Sequence, residues 1–156
     1  MGVAGAGKST AGRALAGALG WAFEDADAHH DAASLAKIAR GDGLTDADRA
    51  PWLARLGRLV AGRAASGPPT VLACSALKAA YRDALGAGRP DVAVVWLDVP
   101  EAELARRLAA RVGHVAGPDL LPSQLATLEP PADALRVDGM RPVGAIVRDV
   151  RERLAA

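Results

Sequence analysis

The octapeptide GVAGAGKS at residues 2–9 constrains the fold of this 156-residue chain more than any other stretch. It matches the pattern G-x-x-x-x-G-K-[ST], in which glycines let backbone amides turn toward phosphate oxygens and a helix begins directly behind the loop. In such a P-loop the lysine reaches the β and γ phosphates and the hydroxyl is a ligand of Mg²⁺. The stretch therefore predicts a site for a nucleoside triphosphate and Mg²⁺, formed by Gly2, Val3, Ala4, Gly5, Ala6, Gly7, Lys8, Ser9 and Thr10.

Helical and extended patterns alternate behind this loop. Strands are predicted at 21–24, 69–77, 91–99 and 134–138, and helices at 9–19, 32–40, from Thr45 to the turn at 66–69, through Tyr81 and Leu85, and at 100–113, 120–129 and 142–154. Alternation of this kind predicts an α/β fold, a P-loop NTPase-type parallel sheet with helices on both faces. Because ligands of such sheets bind at the carboxyl ends of the strands, residues that follow a strand are the first candidates for the site.

The position of the P-loop at the start of the chain gives a second expectation. A strand normally precedes such a loop in the middle of the sheet, whereas only Met1 precedes Gly2 here. Without that strand, backbone groups of its two neighbours lack ladder partners, at about 1 kcal/mol for each unmade bond. We therefore expect the first strand to be absent from this chain, either because the natural chain begins farther upstream, which we favour, or because another segment fills the gap.

Composition bounds the class of protein. The length fits one domain over residues 1–156, and a net charge of +1 with a pI near 8.0 gives no general attraction to nucleic acid or to an anionic membrane. The single cysteine, Cys74, excludes an internal disulfide, indicates a reducing, cytoplasmic compartment, and is expected to be a buried small side chain.

The acceptor side of the predicted reaction is indicated by EDADAHHD at residues 24–31. Asp25 and Asp27 lie two residues apart at a strand end, so their side chains project to the same side if the strand continues. One carboxylate could then orient the metal, while the other accepts the proton of the acceptor hydroxyl as its oxygen attacks the γ-phosphate. A solvated acidic loop is the alternative, and His30 suits a surface or capping role as well as a ligand contact.

Several blocks along the chain resemble, in order, the gluconokinases of the P-loop, shikimate-kinase-like type. They are GVAGAGKST, the F-x-D-x-D-x-x-H pattern from Phe23 to His30, Lys37 with Gly41, LTDADRAPWL at 44–53, ACSALKAAYRD at 73–83, RVGH at 111–114 and LLPSQLATLEPP at 120–131. The resemblance implies transfer of the γ-phosphoryl group of ATP to the 6-hydroxyl of D-gluconate, with a homodimer as a further expectation.

The resemblance also assigns roles to residues. Catalysis is expected from Lys8, Asp27 and Arg111, and metal binding from Ser9 and Asp25. Arg49, Lys78 and Arg82 are expected at the anionic end of gluconate, with Asp27, His30, His114 and Gln124 as further pocket residues. A lid at about 111–124 would close over ATP, with Arg107 as an alternative to Arg111. Each of these arginines could instead be a helix-surface charge paired with an acid.

The match departs from the family pattern at four positions. Asp31 replaces a proline, Ser34 an asparagine, Ile38 a methionine, and Val115 an aromatic residue. Two alternatives stay open at this point. One is another small-molecule kinase such as shikimate kinase, although CSALK at 74–78 stands where that enzyme has consecutive glycines. The other is a nucleotide-binding protein with impaired catalysis.

Overall fold

The computed structural model describes residues 1–40, 42–110 and 120–155. In chain order the elements are α1 (Lys8–Leu19), β1 (Ala22–Asp25), a 3-10 helix (Ala26–His29), α2 (Ala32–Ala39), α3 (Asp46–Ser66), β2 (Thr70–Ala73), α4 (Ala79–Ala84), β3 (Val95–Asp98), α5 (Glu101–Ala109), α6 (Leu121–Thr127), β4 (Leu135–Asp138) and α7 (Val143–Ala155). The predicted alternation of strands and helices is confirmed. None of the helices in the described ranges is both long and apolar enough to cross a membrane.

The four strands form two parallel pairs. β1 pairs with β2, with Ala22 opposite Thr70, and β3 pairs with β4, with Val95 opposite Leu135. Parallel strands need crossover connections, and helices supply them in both pairs. The carboxyl ends of β1 and β2 therefore lie side by side, as do those of β3 and β4.

Met1 and Gly2 connect the two pairs. The Met1 amino group donates to the Val95 carbonyl, and the Met1 carbonyl accepts a 3.1 Å hydrogen bond from Leu97. The Gly2 amide donates to the Ser75 carbonyl at 3.2 Å. These bonds fix the P-loop between the two strand pairs.

Both strand pairs contribute to the lining of a cavity of about 570 Å³. Its walls include Val71 of β2, Leu97 of β3, Leu15 of α1 and Val150 of α7. The lining is mostly apolar, so the inner surfaces of α1 and α7 and the two strand pairs belong to one hydrophobic region.

Two clusters of buried side chains hold the elements together. Leu104 and Leu108 of α5 pack with Val137 of β4 and Val150 of α7, which confirms the predicted inward face of α5. Trp52 and Leu56 of α3 join Tyr81 and Leu85 of the α4 region in the second cluster. At about 25 cal/mol per Å² of apolar surface removed from water, each fully buried leucine contributes on the order of 2 kcal/mol.

Cys74 belongs to the second cluster and is buried, as predicted. Burial raises the pKa of its thiol to about 11. The residue is therefore a thiol, not a thiolate nucleophile, at neutral pH.

Local sequence signals fix the end of α1 and the start of α3. Gly20 ends α1 in a left-handed conformation with φ of 69°, and Thr45 with Asp48 forms a reciprocal capping box at the start of α3. The predicted strand at 69–77 is too long, because β2 ends at Ala73. Ala76 has a φ of 47°, a left-handed backbone that cannot continue a strand, so the second half of this apolar run is a turn.

Candidate active site

The P-loop forms the turn predicted from its glycines. Gly5 and Gly7 have φ values of 83° and 91°, which residues other than glycine rarely adopt. Gly7 is the N-cap of α1, and no side chain among the described residues caps the helix, so its first amides can bind an anion. Loop and helix thus present several N–H groups at one place.

The Lys8 side chain folds over this loop. Its ammonium Nζ donates to the Val3 carbonyl at 3.0 Å. This contact holds the charge against the loop whose amides form the predicted phosphate site, as the sequence motif requires.

A hydrogen bond between two side chains joins the carboxyl end of β1 to the start of α1. The Ser9 hydroxyl donates to Asp25 Oδ2 at 2.8 Å, and Asp25 Oδ1 accepts the Asp27 amide at 3.2 Å. Asp25 therefore links the P-loop to the 3-10 helix that carries Asp27, whose side chain is exposed. The structure brings together the residues for which the sequence predicted metal and proton-transfer roles.

A cluster of charged and aromatic side chains lies where α3 begins and α4 begins. Lys78 Nζ donates to Asp46 Oδ2 at 2.7 Å, and Arg49 Nη1 lies 3.6 Å from Asp46 Oδ1. The Tyr81 hydroxyl donates to Asp46 Oδ1, and Arg49 Nη1 donates to the Tyr81 oxygen at 3.4 Å. Arg49 and Lys78, predicted separately, thus share one site.

Titration properties of this cluster follow from its contacts. The hydrogen bond from Lys78 is the main cause that lowers the pKa of Asp46, and it raises the pKa of Lys78. Burial, more than the bond to Asp46, raises the pKa of Tyr81. At neutral pH the cluster therefore contains two cations, one carboxylate and one neutral phenol.

Arg82 lies deeper than the other two predicted cations. Only 8% of it is exposed, and Nη1 donates to the carbonyls of Ala76 and Leu77 at 3.1 and 3.0 Å. These bonds cross the turn in which Ala76 has its positive φ. Arg82 therefore stabilises the CSALK turn that leads to Lys78.

His30 packs flat against Trp52. The two ring centroids are 4.5 Å apart at an interplanar angle of 10°, and Trp52 Nε1 donates to the Ala26 carbonyl at 2.8 Å. Burial lowers the pKa of His30, so the imidazole is neutral at pH 7. The stack fixes His30 directly behind the 3-10 helix of Asp27.

The segment from α6 to Glu129 contacts both the P-loop and the start of α4. Gln124 Oε1 accepts the Ala4 amide of the P-loop at 2.6 Å. Glu129 Oε2 accepts the Ala79 amide at the start of α4, at 2.6 Å. Gln124, predicted as a pocket residue, thus lies against the phosphate loop.

Arg107 reaches the opposite side of the P-loop. Its guanidinium donates to Glu103 at 2.7 Å, to the Gly139 carbonyl at 3.0 Å and to the Gly5 carbonyl at 3.4 Å. A second cavity of about 420 Å³ opens here, lined in part by Thr10 and Arg141. Arg107 thereby ties α5 to the loop and to the turn after β4.

Two predicted residues lie outside the described residues, namely Arg111 and His114, together with most of the predicted lid at 111–124. Other residues were missed by the sequence reasoning, namely Asp46, Tyr81 and Glu129. Asp46 and Tyr81 stood within the matched blocks at 44–53 and 73–83, and their polar types were the available signal. Their contacts join residues more than 30 positions apart, so only the tertiary structure reveals them.

Known proteins resemble this chain in sequence and in structure. Residues 1–131 match the family described as AAA domain. Over 153 residues the chain is 43% identical to the gluconokinase of Gluconobacter oxydans (strain 621H), covering 96% of this chain and 86% of that protein.

Solved structures agree with this similarity. A gluconokinase from Sinorhizobium meliloti 1021 superposes with a TM-score of 0.85 at 43% identity, covering 99% of this chain and 89% of that one. An unliganded sugar kinase from Janibacter sp. HTCC2649 gives a TM-score of 0.90 at 39% identity, covering 99% and 91%. The similarity therefore extends over essentially the whole described fold.

Proposed function

The chain belongs to the gluconokinase family, and from this premise we propose that it transfers the γ-phosphoryl group of ATP to the 6-hydroxyl of D-gluconate, giving 6-phospho-D-gluconate. The observation that carries the proposal is 43% identity to a gluconokinase over 96% of the chain. Nucleotide use follows from the family and from the intact P-loop. The acceptor follows from the family together with the cationic cluster of Arg49 and Lys78.

The P-loop residues hold the phosphates. We expect the amides at the start of α1, directly behind Gly7, to bind the β and γ phosphates, and Lys8 to neutralise charge that builds on the γ-phosphoryl group. Because Lys8 already lies against the loop at Val3, little rearrangement is needed to reach a bound phosphate. Arg111 is proposed as a second positive charge at this group.

Ser9 and Asp25 fit a Mg²⁺ site. Their oxygens are 2.8 Å apart, and Mg²⁺ in kinases takes one or two protein oxygens together with water and phosphate oxygens. Ser9 and Asp25 would hold the ion, which would offset the negative charge of the phosphates. Asp25 also accepts the Asp27 amide, so it holds the metal site and the 3-10 helix in a fixed relation.

Asp27 is proposed to orient the 6-hydroxyl and to accept its proton as the oxygen attacks the γ-phosphorus and the bond from that phosphorus to the departing ADP breaks. The residue lies in the first turn of the 3-10 helix, two positions after Asp25, the proposed metal ligand. Through Asp25, the helix that carries Asp27 is linked to Ser9 of the P-loop, and a carboxylate there can act on a hydroxyl that approaches in line with the transferred group. The neutral His30, fixed on Trp52, is proposed to contact substrate hydroxyls.

Arg49 and Lys78 are proposed to bind the carboxylate of gluconate, with Arg82 supporting the turn from which Lys78 projects. Gln124 and His114 are proposed to complete the pocket from the lid side, with a lid at about 111–124 closing over ATP. A cytoplasmic homodimer, organised as one kinase domain, is the remaining proposal.

Identification of the product tests the proposed reaction. The chain is incubated with ATP, Mg²⁺ and D-gluconate, and the product is analysed by ³¹P–¹H correlation NMR. We expect the new phosphate ester to couple to the two C6 protons. An ester on another carbon would overturn the proposed position of attack, and the absence of any ester would overturn the acceptor.

A further inference from the structure

Both cations proposed for the carboxylate end of gluconate are held by one acidic side chain. Asp46 Oδ2 accepts Lys78 Nζ at 2.7 Å, and Asp46 Oδ1 lies 3.6 Å from Arg49 Nη1. Arg49 belongs to α3, whereas Lys78 is the N-cap of α4, 32 residues from Asp46 in sequence. A single carboxylate thus connects cations that come from two separate elements.

Tyr81 gives these cations a common support. The Arg49 guanidinium carbon lies 5.8 Å and the Lys78 ammonium 5.5 Å from the centre of the Tyr81 ring. The Tyr81 hydroxyl donates to Asp46 Oδ1, and it also accepts from Arg49 at 3.4 Å. Ring and hydroxyl therefore restrict the directions in which both cations can point.

Stability does not account for this arrangement. Asp46 is 61% exposed at its side chain, and exposed ion pairs contribute little to folding because water and salt screen them. Its effect on local charge is larger. The carboxylate neutralises one of two adjacent positive charges and leaves one net positive charge, which suits a monocarboxylate.

The contacts also leave capacity for a substrate. A guanidinium carries five N–H donors and an ammonium three, whereas Asp46 and Tyr81 engage Arg49 only through Nη1. A second carboxylate can therefore bind beside Asp46 without displacing it.

We propose that Asp46 is a positioning residue that, together with the Tyr81 hydroxyl, sets Arg49 and Lys78 into one anion-binding pair for the carboxylate of the sugar acid. The inference rests on the proposed function, because it assigns the substrate's charged end to this cluster. Asp46 acts through the two cations and does not contact the reacting atoms.

Steady-state kinetics of Asp46→Ala test this role. We expect the KM for gluconate to rise about tenfold, since the two cations lose their shared partner, while kcat and the KM for ATP stay within about twofold. Tyr81→Phe, which removes only the hydroxyl, should raise the same KM about threefold. The KM for gluconate of the double variant should be no higher than that of Asp46→Ala alone, because both residues act on the same pair of cations.

Asp91→Ala is the matched control. It breaks an exposed ion pair of similar length, 2.8 Å to Arg89, away from the cluster, and should leave all three parameters unchanged. An unchanged KM for gluconate in Asp46→Ala would overturn the inference. So would a lower KM, because Asp46 would then compete with the substrate.

The wild-type chain separates the two proposals. If the wild-type chain does not turn over gluconate, both the proposed function and this inference are overturned. If the wild-type chain turns over gluconate and Asp46→Ala has the same KM for gluconate, only the inference is overturned. If Asp46→Ala does not fold, Asp46→Asn and Tyr81→Phe are read in the same way, and an unchanged KM for gluconate in both overturns it.

Discussion

At the scale of single residues, Asp25 links the P-loop to the 3-10 helix that carries Asp27. It accepts one hydrogen bond from Ser9 of the P-loop and one from the Asp27 amide, through different oxygens. The distance between the phosphate site and the proposed base is therefore set by one side chain. Lys8 and Asp27 lie on either side of this link, and their substitution separates phosphate stabilisation from proton transfer.

Lys8→Ala should lower kcat about 100-fold to 1,000-fold, because a preorganised positive charge is lost where the transition state gains negative charge. Coupled measurement of ADP release gives the rate. Arg58→Ala, at an exposed position of α3, is the control and should leave the rate unchanged. A kcat for Lys8→Ala within a few-fold of wild type would show that the P-loop does not act as proposed.

Asp27→Asn should lower kcat about 100-fold and leave the dissociation constant for ATP within about twofold, since the amide keeps the size of the side chain but cannot accept the proton. Calorimetric titration with a non-hydrolysable ATP analogue gives the affinity. Asp42→Asn, in an exposed ion pair with Arg40, is the control. Near-normal kcat in Asp27→Asn would remove Asp27 from the role of base.

At the scale of elements, the packing of α3 on α4 supports the anion-binding cluster. A Cβ atom on Gly57 would lie 2.4 Å from the Ala84 carbonyl oxygen, whereas a Cβ on Gly62 of the same helix meets nothing within 4 Å. The two glycines thus belong to one helix, but only a side chain at Gly57 would clash with a neighbouring backbone. Only Gly57 is required for close approach of the two helices.

Gly57→Ala should destabilise the protein by about 1–3 kcal/mol, because the methyl group forces α3 away from α4. Gly62→Ala is its matched control and should stabilise by up to about 1 kcal/mol, since alanine is the better helix former. Urea unfolding measures both. Equal effects of the two substitutions would contradict the close helix contact.

The capping box of α3 predicts a pH dependence. Hydrogen bonds from Lys37 and from Thr45 lower the pKa of Asp48 to about 2. Because the folded-state pKa lies below the ordinary value of 3.8, the contribution of Asp48 is fully present above pH 4 and is lost as the pH falls toward 2.

Asp48→Asn should therefore have a lower Tm than wild type at pH 7, and the difference should shrink between pH 4 and pH 2.5. Thermal melts across this range measure it. Asp133→Asn, in the exposed turn before β4, is the control and should match wild type throughout. A difference in Tm that persists unchanged at pH 2.5 would show that the Asp48 charge is not responsible.

The sequence predicted those elements whose ends have local chemical signals. Gly20 marks the end of α1, Thr45 and Asp48 the start of α3, and the spacing of Leu104 and Leu108 gives the inner face of α5. The length of β2 was not predictable in this way. Its apolar run continues past Ala73, but the partner strand β1 ends at Asp25, opposite Ala73, and Ala76 farther along has a positive φ.

At the scale of the whole molecule, the site was predictable where its residues follow strands or belong to one short motif. Ser9 and Asp25 meet because a P-loop and a neighbouring strand end share one edge of the fold. The bonds from Asp46 to Lys78 and from Gln124 to Ala4 join distant segments, and nothing in the local sequence determines them. The wider arrangement therefore needed the tertiary structure.

The reaction proposed for this fold is the phosphorylation of gluconate with ATP. The most direct measurement is ADP release by the wild-type chain, shown to be folded by a cooperative thermal transition, with D-gluconate, shikimate and other sugar acids offered separately. We predict ADP release that depends on gluconate, exceeds that with every other acceptor and disappears in Lys8→Ala. Folded protein that releases no more ADP with gluconate than without an acceptor, or that prefers shikimate, would contradict it.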